Sequence, residues 1–396
     1  MSYLDQGEFY SEFGNYDVSI TVPKNYILMA TGDLQNKEEL KFLNEKAELT
    51  SQLIEENKLP VRDSFGRKDM SFPKSSVEKK TLRFVQKNVH DFAWFTDKRY
   101  HLLKGEVNVN NRKITSWALF TNNEAKLWRR SIEYINDATR YFSKWVGEYP
   151  YNHVTAVDGT ISAGGGMEYP NITVIGSSGD SKSLETVIVH EVGHNWYYGI
   201  LGSNERDNAW MDEGLNTYIE IRYMEEKYPN GYFRKKDSTQ NKSRGISLNI
   251  SLEEKELQHI AYQFNASRNY DQPLKMGSKD FTQMNYGAMV YCKTGIGFHY
   301  LKASLGEELF DNCMNEYFNQ WKFKHPNPDD IKAVFETVSK KNLDWFFEDY
   351  IKNNNQKNKI IFFGIASAIA LTIHSIFLGI KFDNDLYKLF RRVIML

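Results

Sequence analysis

His190-Glu191-Val192-Gly193-His194, followed after eighteen residues by Glu213 in Trp210-Met211-Asp212-Glu213-Gly214, is the stretch that decides the fold. A helix turns about 100° per residue, so His190 and His194, four apart, stand one above the other on one face. That spacing lets two imidazoles reach one ion at roughly 2.0–2.1 Å. Glu191 falls beside them, placed to take a proton from a metal-bound water. Glu213 supplies a third ligand from a second helix. Three protein ligands leave a fourth position open, as a catalytic zinc requires, and the pattern predicts one Zn2+ per chain. Two chance histidines on a surface helix are the plain alternative. Against it, Leu184, Val187, Ile188 and Val192 recur at helical spacing and mark a half-buried helix, where imidazoles need partners. A second helix follows Glu213, with Leu215, Tyr218, Ile219 and Tyr223 as its apolar stripe and Pro229-Asn230-Gly231 as its stop.

Upstream, Gly164-Gly165-Gly166-Met167-Glu168-Tyr169-Pro170 joins a glycine run to a lone carboxylate. The flanking segments, 153–157 and 171–175, are rich in Val, Ile and Thr and read as short strands. Glycines there allow another backbone to approach closely. A carboxylate beside such a strand suits capture of a positively charged amine. Taken alone, the same residues fit an ordinary glycine-rich turn.

Together these residues resemble the zinc aminopeptidases of the aminopeptidase N family, a branch of the gluzincins. The family pattern is G-x-M-E-N, then H-E-x-x-H, eighteen residues, then E. Here it reads Gly165-Gly166-Met167-Glu168-Tyr169, His190 to His194, and Glu213, with Tyr169 in place of the usual Asn. Tyr286-Gly287-Ala288-Met289-Val290-Tyr291-Cys292-Lys293-Thr294-Gly295 is similar to the family's Tyr-x-Lys-Gly segment. The resemblance covers roughly residues 9–351. It implies an α+β fold: a thermolysin-like, two-lobed zincin catalytic domain preceded by the remnant of a β-sheet domain. It also implies hydrolysis of the N-terminal residue from peptides with a free N-terminus. In that scheme His190, His194 and Glu213 hold zinc and Glu191 is the base. Tyr291 steadies the transition state, Glu168 binds the α-ammonium, and Gly165, Gly166 and Met167 form the substrate strand. Two rivals stand beside this reading: a thermolysin-type endopeptidase with the same zinc site, which needs no Glu168, and an inactive aminopeptidase-like fragment.

Composition agrees with a sizeable core, since 41% of the 396 residues are hydrophobic. A net charge of -1 implies no nucleic-acid partner. Two cysteines, Cys292 and Cys313, give no disulfide framework and read as small buried hydrophobes. Residues 1–95 are expected to form the late part of the sheet domain, with Val18, Ile20 and Val22 alternating along a strand. Leu40, Leu43, Ala47 and Ile54 form the stripe of an inserted surface helix. Residues 96–351 are the peptidase domain. Its strands near 104–109 and 114–120 lead into a helix with Trp128, Ile132, Ile135, Phe142 and Trp145 on its apolar side, and a mainly helical remainder follows Tyr232. Residues 352–396 form a tail in which 360–380 carries no Asp, Glu, Lys or Arg, matching the ~20 residues a helix needs to cross a bilayer. Membrane association is therefore expected, with a buried helix of a truncated domain or a scrambled end as the alternatives. With no secretory leader at the start of the sequence, the catalytic domain is expected in the cytoplasm, or outside the cell if the N-terminus is incomplete.

Overall fold

The structure, a computed structural model, describes residues 6–7, 9–59, 73–159, 161, 165–229 and 254–353. The tail at 360–380, together with Gly164, Asn230 and Gly231, lies outside the described residues. Among the described residues no helix is long and apolar enough to cross a membrane.

The front of the chain is built from β1 (Gly14–Pro23), β2 (Ile27–Ala30), β3 (Asp33–Leu34), α1 (Lys37–Glu55), β4 (Lys79–Val89) and β5 (Trp94–Asp97). Alternation along β1 puts Val18, Ile20 and Val22 on the better-covered face and Asp17, Ser19 and Thr21 in water. β4 pairs antiparallel with β1 and β3, and β5 pairs antiparallel with β2. β5 carries the front region's strands as far as Asp97. α1 buries Leu43, Ala47 and Thr50, whereas Leu40 is exposed. Leu40 thus sits on the rim of the stripe rather than within it.

The following sheet has the order β6-β7-β8-β10-β9. Its strands are β6 (His101–Val109), β7 (Arg112–Phe120), β8 (His153–Asp158), β9 (Gly166–Met167) and β10 (Ile172–Ile175). β7, β8 and β10 run parallel, with antiparallel β6 and β9 at the two edges. Two helices link β7 to β8: the single turn α2 (Ala125–Trp128) and then α3 (Ser131–Trp145). Trp128 closes α2, so the expected continuous helix is broken ahead of Ser131. Parallel strands buried on both faces explain why β8 and β10 read as apolar runs rather than alternations.

Behind this sheet stands the helical layer: α4 (Ser181–Gly193), α5 (Glu205–Asn208), α6 (Glu213–Lys227), α7 (Glu254–Ala266), α8 (Gln283–Asn285), α9 (Thr294–Leu305), α10 (Glu307–Trp321) and α11 (Pro328–Ser339). Two π-helical segments, Tyr286–Lys293 and Trp345–Lys352, adjoin α9 and close the described chain. α11 starts where Pro326 and Pro328 suggest. Asn327 caps it, accepting from the Asp329 and Asp330 backbones while Asp330 caps back. Residues 213–224 of α6 are buried all round, so the expected one-sided stripe is instead a helix in the middle of the core. Cys292 and Cys313 are buried, and neither is part of a disulfide.

Candidate active site

The Asp180 side chain caps α4 by accepting from the Ser183 backbone, and Leu184, Ile188 and Val192 fix the helix against the core. Its last turn presents His190 and His194. α6 begins at Glu213 and crosses α4 at close range. A Cβ on Gly193 would collide with Asn216 and Phe142, so only glycine lets the two helices meet. Asn216 donates to the His190 carbonyl at 2.7 Å and ties them together.

The result is a triangle. His190 Nε2, His194 Nε2 and Glu213 Oε2 lie 3.1 Å from one another on every side. A point about 1 Å above that triangle lies ~2.1 Å from all three atoms, the bond length zinc makes to N and O ligands. The residues present therefore fit a zinc ion with an open fourth position. Each imidazole is oriented from behind. His190 Nδ1 is 2.9 Å from Glu220, and His194 Nδ1 is 2.6 Å from Asp212. Such carboxylate–histidine pairs fix the ring and its tautomer and raise its basicity as a ligand. Asp212 and Glu220 were not singled out from sequence. The available signal for Glu220 was its place seven residues, two helical turns, after Glu213.

Charge follows from this crowding. Burial alone would lower both histidines. Hydrogen bonds to Glu213 and Glu220 outweigh it for His190, and the Glu168 and Glu213 charges outweigh it for His194, so both are pushed up to about 10. Burial would raise Glu213, but the His194 charge and bonds to both imidazoles hold it well below the usual carboxylate range. Glu168 goes the other way: burial, reinforced by Glu191 and Glu213, lifts it well above its ordinary value, against the lowering pull of His194.

Glu191 is buried beside the triangle, and its carboxyl group lies against Gly166, where a Cβ would collide with it. Gly166 and Met167 form the edge strand β9, paired to Ile175 and Val174 of β10. The Gly165 carbonyl accepts from the Gly176 backbone at 2.8 Å, and the Met167 carbonyl from Thr173 Oγ1 at 2.9 Å. Glu168 follows the strand, is 4% exposed, and its Oε1 is buried with no hydrogen-bond partner. The loop carrying it is pinned on both sides. Asn171, in the left-handed conformation at φ 52°, donates its backbone N–H to Asn195 Oδ1 and accepts on its own Oδ1 from the Gly32 backbone N–H, both at 2.8 Å. Gly32 belongs to the front region, so that region helps to set the position of Glu168. Tyr169, where the family carries Asn, packs instead between Phe9 and Phe95, at ring separations of 6.0 and 6.2 Å.

The Tyr291 hydroxyl donates to Glu213 Oε1, and its ring lies nearly parallel to His190 at 6.0 Å. Burial, helped by the Glu213 charge, lifts its pKa well above the usual value, so it stays a proton donor. All these residues line one cavity of about 250 Å³: Gly165 to Glu168, His190, Glu191, His194, Glu213 and Tyr291, with Thr186, Val187 and Glu220. The sequence-selected residues among the described ones thus converge.

The chain is similar to known proteins. Residues 130–350 match the Peptidase family M1 domain. Leucine aminopeptidase 2-1 of Meyerozyma guilliermondii is 27% identical over 165 residues, 40% of this chain and 25% of that protein. Endoplasmic reticulum aminopeptidase 2 of Bos taurus is 24% identical over 157 residues, 39% and 15% of the respective chains. The matched stretch thus spans about a quarter or less of these curated relatives. Among solved structures, an M1 zinc metallopeptidase from Deinococcus radiodurans bound to a Tyr-Ser-Ala substrate superposes with a TM-score of 0.58 at 14% identity, covering 88% of this chain and 66% of that one. Legionella pneumophila aminopeptidase A in complex with aspartic acid gives 0.60 at 13% identity, covering 88% and 35%. These likenesses establish the fold, and the α+β plan expected from sequence holds. With the family model matching more than half of its residues and the zinc-binding pattern intact, the chain belongs to peptidase family M1.

Proposed function

We propose that the chain is a zinc aminopeptidase that removes the N-terminal residue from peptides with a free N-terminus, using one zinc per chain. The observation that carries this reading is Glu168 Oε1, a buried acceptor without a donor beside the His190–His194–Glu213 triangle. A buried polar atom that lacks a partner wants one. A substrate α-ammonium supplies both the donor and the charge that draws Glu168 back to its ionised form. That pairing fixes the cut one residue from the end.

His190, His194 and Glu213 would hold the metal, which when bound supplies Lewis-acid polarisation of the scissile carbonyl and a more acidic water. Glu191 accepts the proton of the attacking water and returns it to the leaving amine. The Tyr291 phenol stays protonated and donates towards the negative charge that grows on the carbonyl oxygen, a role typically worth ~3–4 kcal/mol. Among the described residues β9 is an edge strand, which lets an extended peptide add as a further strand, with main-chain bonds giving affinity. The segment 360–380 adds a location to the proposal, association with a membrane, which fractionation with a carbonate wash reads out.

The test is kinetic. Truncating one partner of a desolvated charge pair costs ~2–5 kcal/mol, so Glu168→Ala should lose tens- to thousands-fold in kcat/KM on aminoacyl fluorogenic amides. Zinc content should stay at the wild-type level. A variant that keeps its kcat/KM within threefold defeats the aminopeptidase reading and favours a thermolysin-type endopeptidase.

A further inference from the structure

The π-helical segment Tyr286–Lys293 carries Tyr291, and nothing in the sequence motif explains how its hydroxyl is held at the metal triangle. Wide π winding is rare and concentrates at functional sites, because it shifts side chains out of ordinary helical register. At its end the Thr294 backbone N–H bonds back to both Met289 and Tyr291, which marks the change into α9. The segment is then gripped from two sides. On the α6 side, a Cβ on Gly214 would collide with Thr294 and lie 2.5 Å from the Val290 carbonyl, so the glycine beside Glu213 admits the π backbone. On the far side stands Tyr350, from the second π segment. Its hydroxyl donates to the Lys293 carbonyl at 2.7 Å, in a fully buried bond. The Lys293 ammonium lies over the same ring at 5.1 Å, and Phe346 stacks on it at 5.7 Å. Gly297, one turn into α9, makes room for the ring, since a Cβ there would overlap Tyr350 Cε1.

We propose that Tyr350 is a positioning residue for the reaction: its hydroxyl bond to the Lys293 carbonyl sets the π segment so that the Tyr291 phenol meets the oxyanion. This rests on the role proposed above for Tyr291. Tyr350 meets the π segment at the Lys293 carbonyl, so its influence passes through the backbone two residues from Tyr291. A misplacement on the order of 1 Å in a catalytic group can cost ~100-fold in rate. Loss of one buried bond gives a smaller shift. Tyr350→Phe, which keeps the ring and its packing, should lower kcat about tenfold with KM within twofold.

The experiment compares zinc-loaded wild type, Tyr350→Phe, Tyr291→Phe and the double variant on one aminoacyl amide, with zinc content and Tm recorded for each. The expected result is a kcat loss in Tyr350→Phe at full zinc occupancy, and a double variant no slower than Tyr291→Phe, because the second hydroxyl acts only through the first. Gly297→Ala, which presses on the same ring, should reproduce the kcat loss and covers the case in which Tyr350→Phe folds poorly. Unchanged kcat in Tyr350→Phe, or losses that multiply in the double variant, would overturn the proposal while leaving the Tyr291 role intact. Unchanged kcat in Tyr291→Phe would remove both.

Discussion

Helices α1 and α6 are comparable in length and opposite in design. α1 lies on the surface, with Leu43 and Ala47 buried and Leu40 and Leu49 in water. α6 is enclosed, yet Glu213, Asn216, Glu220 and Arg222 are all inside. Burying charge is expensive unless every group is paired, so a polar residue in an enclosed helix is there for its partner. In α6 the partners are identifiable. Glu213 and Glu220 face His190 and His194, while Arg222 grips Asp311 and Glu307 and lies 4.3 Å over Trp145. Apolar periodicity explains a surface helix; the pairing of buried polar groups explains a helix that holds a site.

That contrast can be broken most severely at the triangle. Glu191→Gln keeps the shape of the base and removes its basicity, so turnover should fall by about 100- to 10,000-fold with zinc retained. Activity within tenfold of wild type at full metal occupancy would mean that another group takes the proton. His194→Ala should lose the metal itself, and elemental analysis showing equal zinc in both proteins would remove the triangle from the account.

One step back from the metal the effect should shrink. Glu220→Gln leaves the His190 ligand in place but weakens its support, and zinc affinity should drop ~10- to 100-fold. The same carboxylates make metal uptake pH-dependent. Without metal both imidazoles hold protons up to about 10. Binding must displace them, so zinc affinity should rise with pH, with about two protons released per ion near pH 7. Calorimetry in two buffers of different ionisation enthalpy counts those protons; no release would contradict the paired-imidazole arrangement. An affinity unchanged in Glu220→Gln would make that carboxylate a bystander.

On α1 the effects should fall on stability and not on turnover. Leu43→Ala should cost ~2–5 kcal/mol of stability, as deletion of a fully enclosed leucine does. Leu40→Ala, at an exposed position, should stay within about 0.5 kcal/mol. Urea titration of both variants checks the difference, and equal midpoints would remove the surface-helix description.

The same contrast explains what the sequence disclosed. The i, i+4 histidines were legible because two ligands on one helix face require that spacing, and the eighteen-residue gap to Glu213 because it resembles the family pattern. β1 was legible through alternation. Asp212 has no spacing rule of its own, and the two-turn offset of Glu220 from Glu213 marks a shared helix face without marking a role. α6 misled because a helix enclosed on all sides has no polar face to set against its apolar one. The break after Trp128 and the π winding at Tyr291 leave no periodic trace. Tyr198 holds a left-handed φ of 87°, which a bulky residue type gives no reason to expect.

The central claim is that Glu168 turns a zinc peptidase site into one that reads a free N-terminus. The direct measurement is mass spectrometry of a decapeptide and its N-acetylated copy after incubation with the zinc-loaded protein. The account predicts a ladder of products shortened one residue at a time from the free peptide and an untouched acetylated peptide, since acetylation removes the charge that Glu168 would pair with. Internal cuts in the acetylated peptide would contradict it.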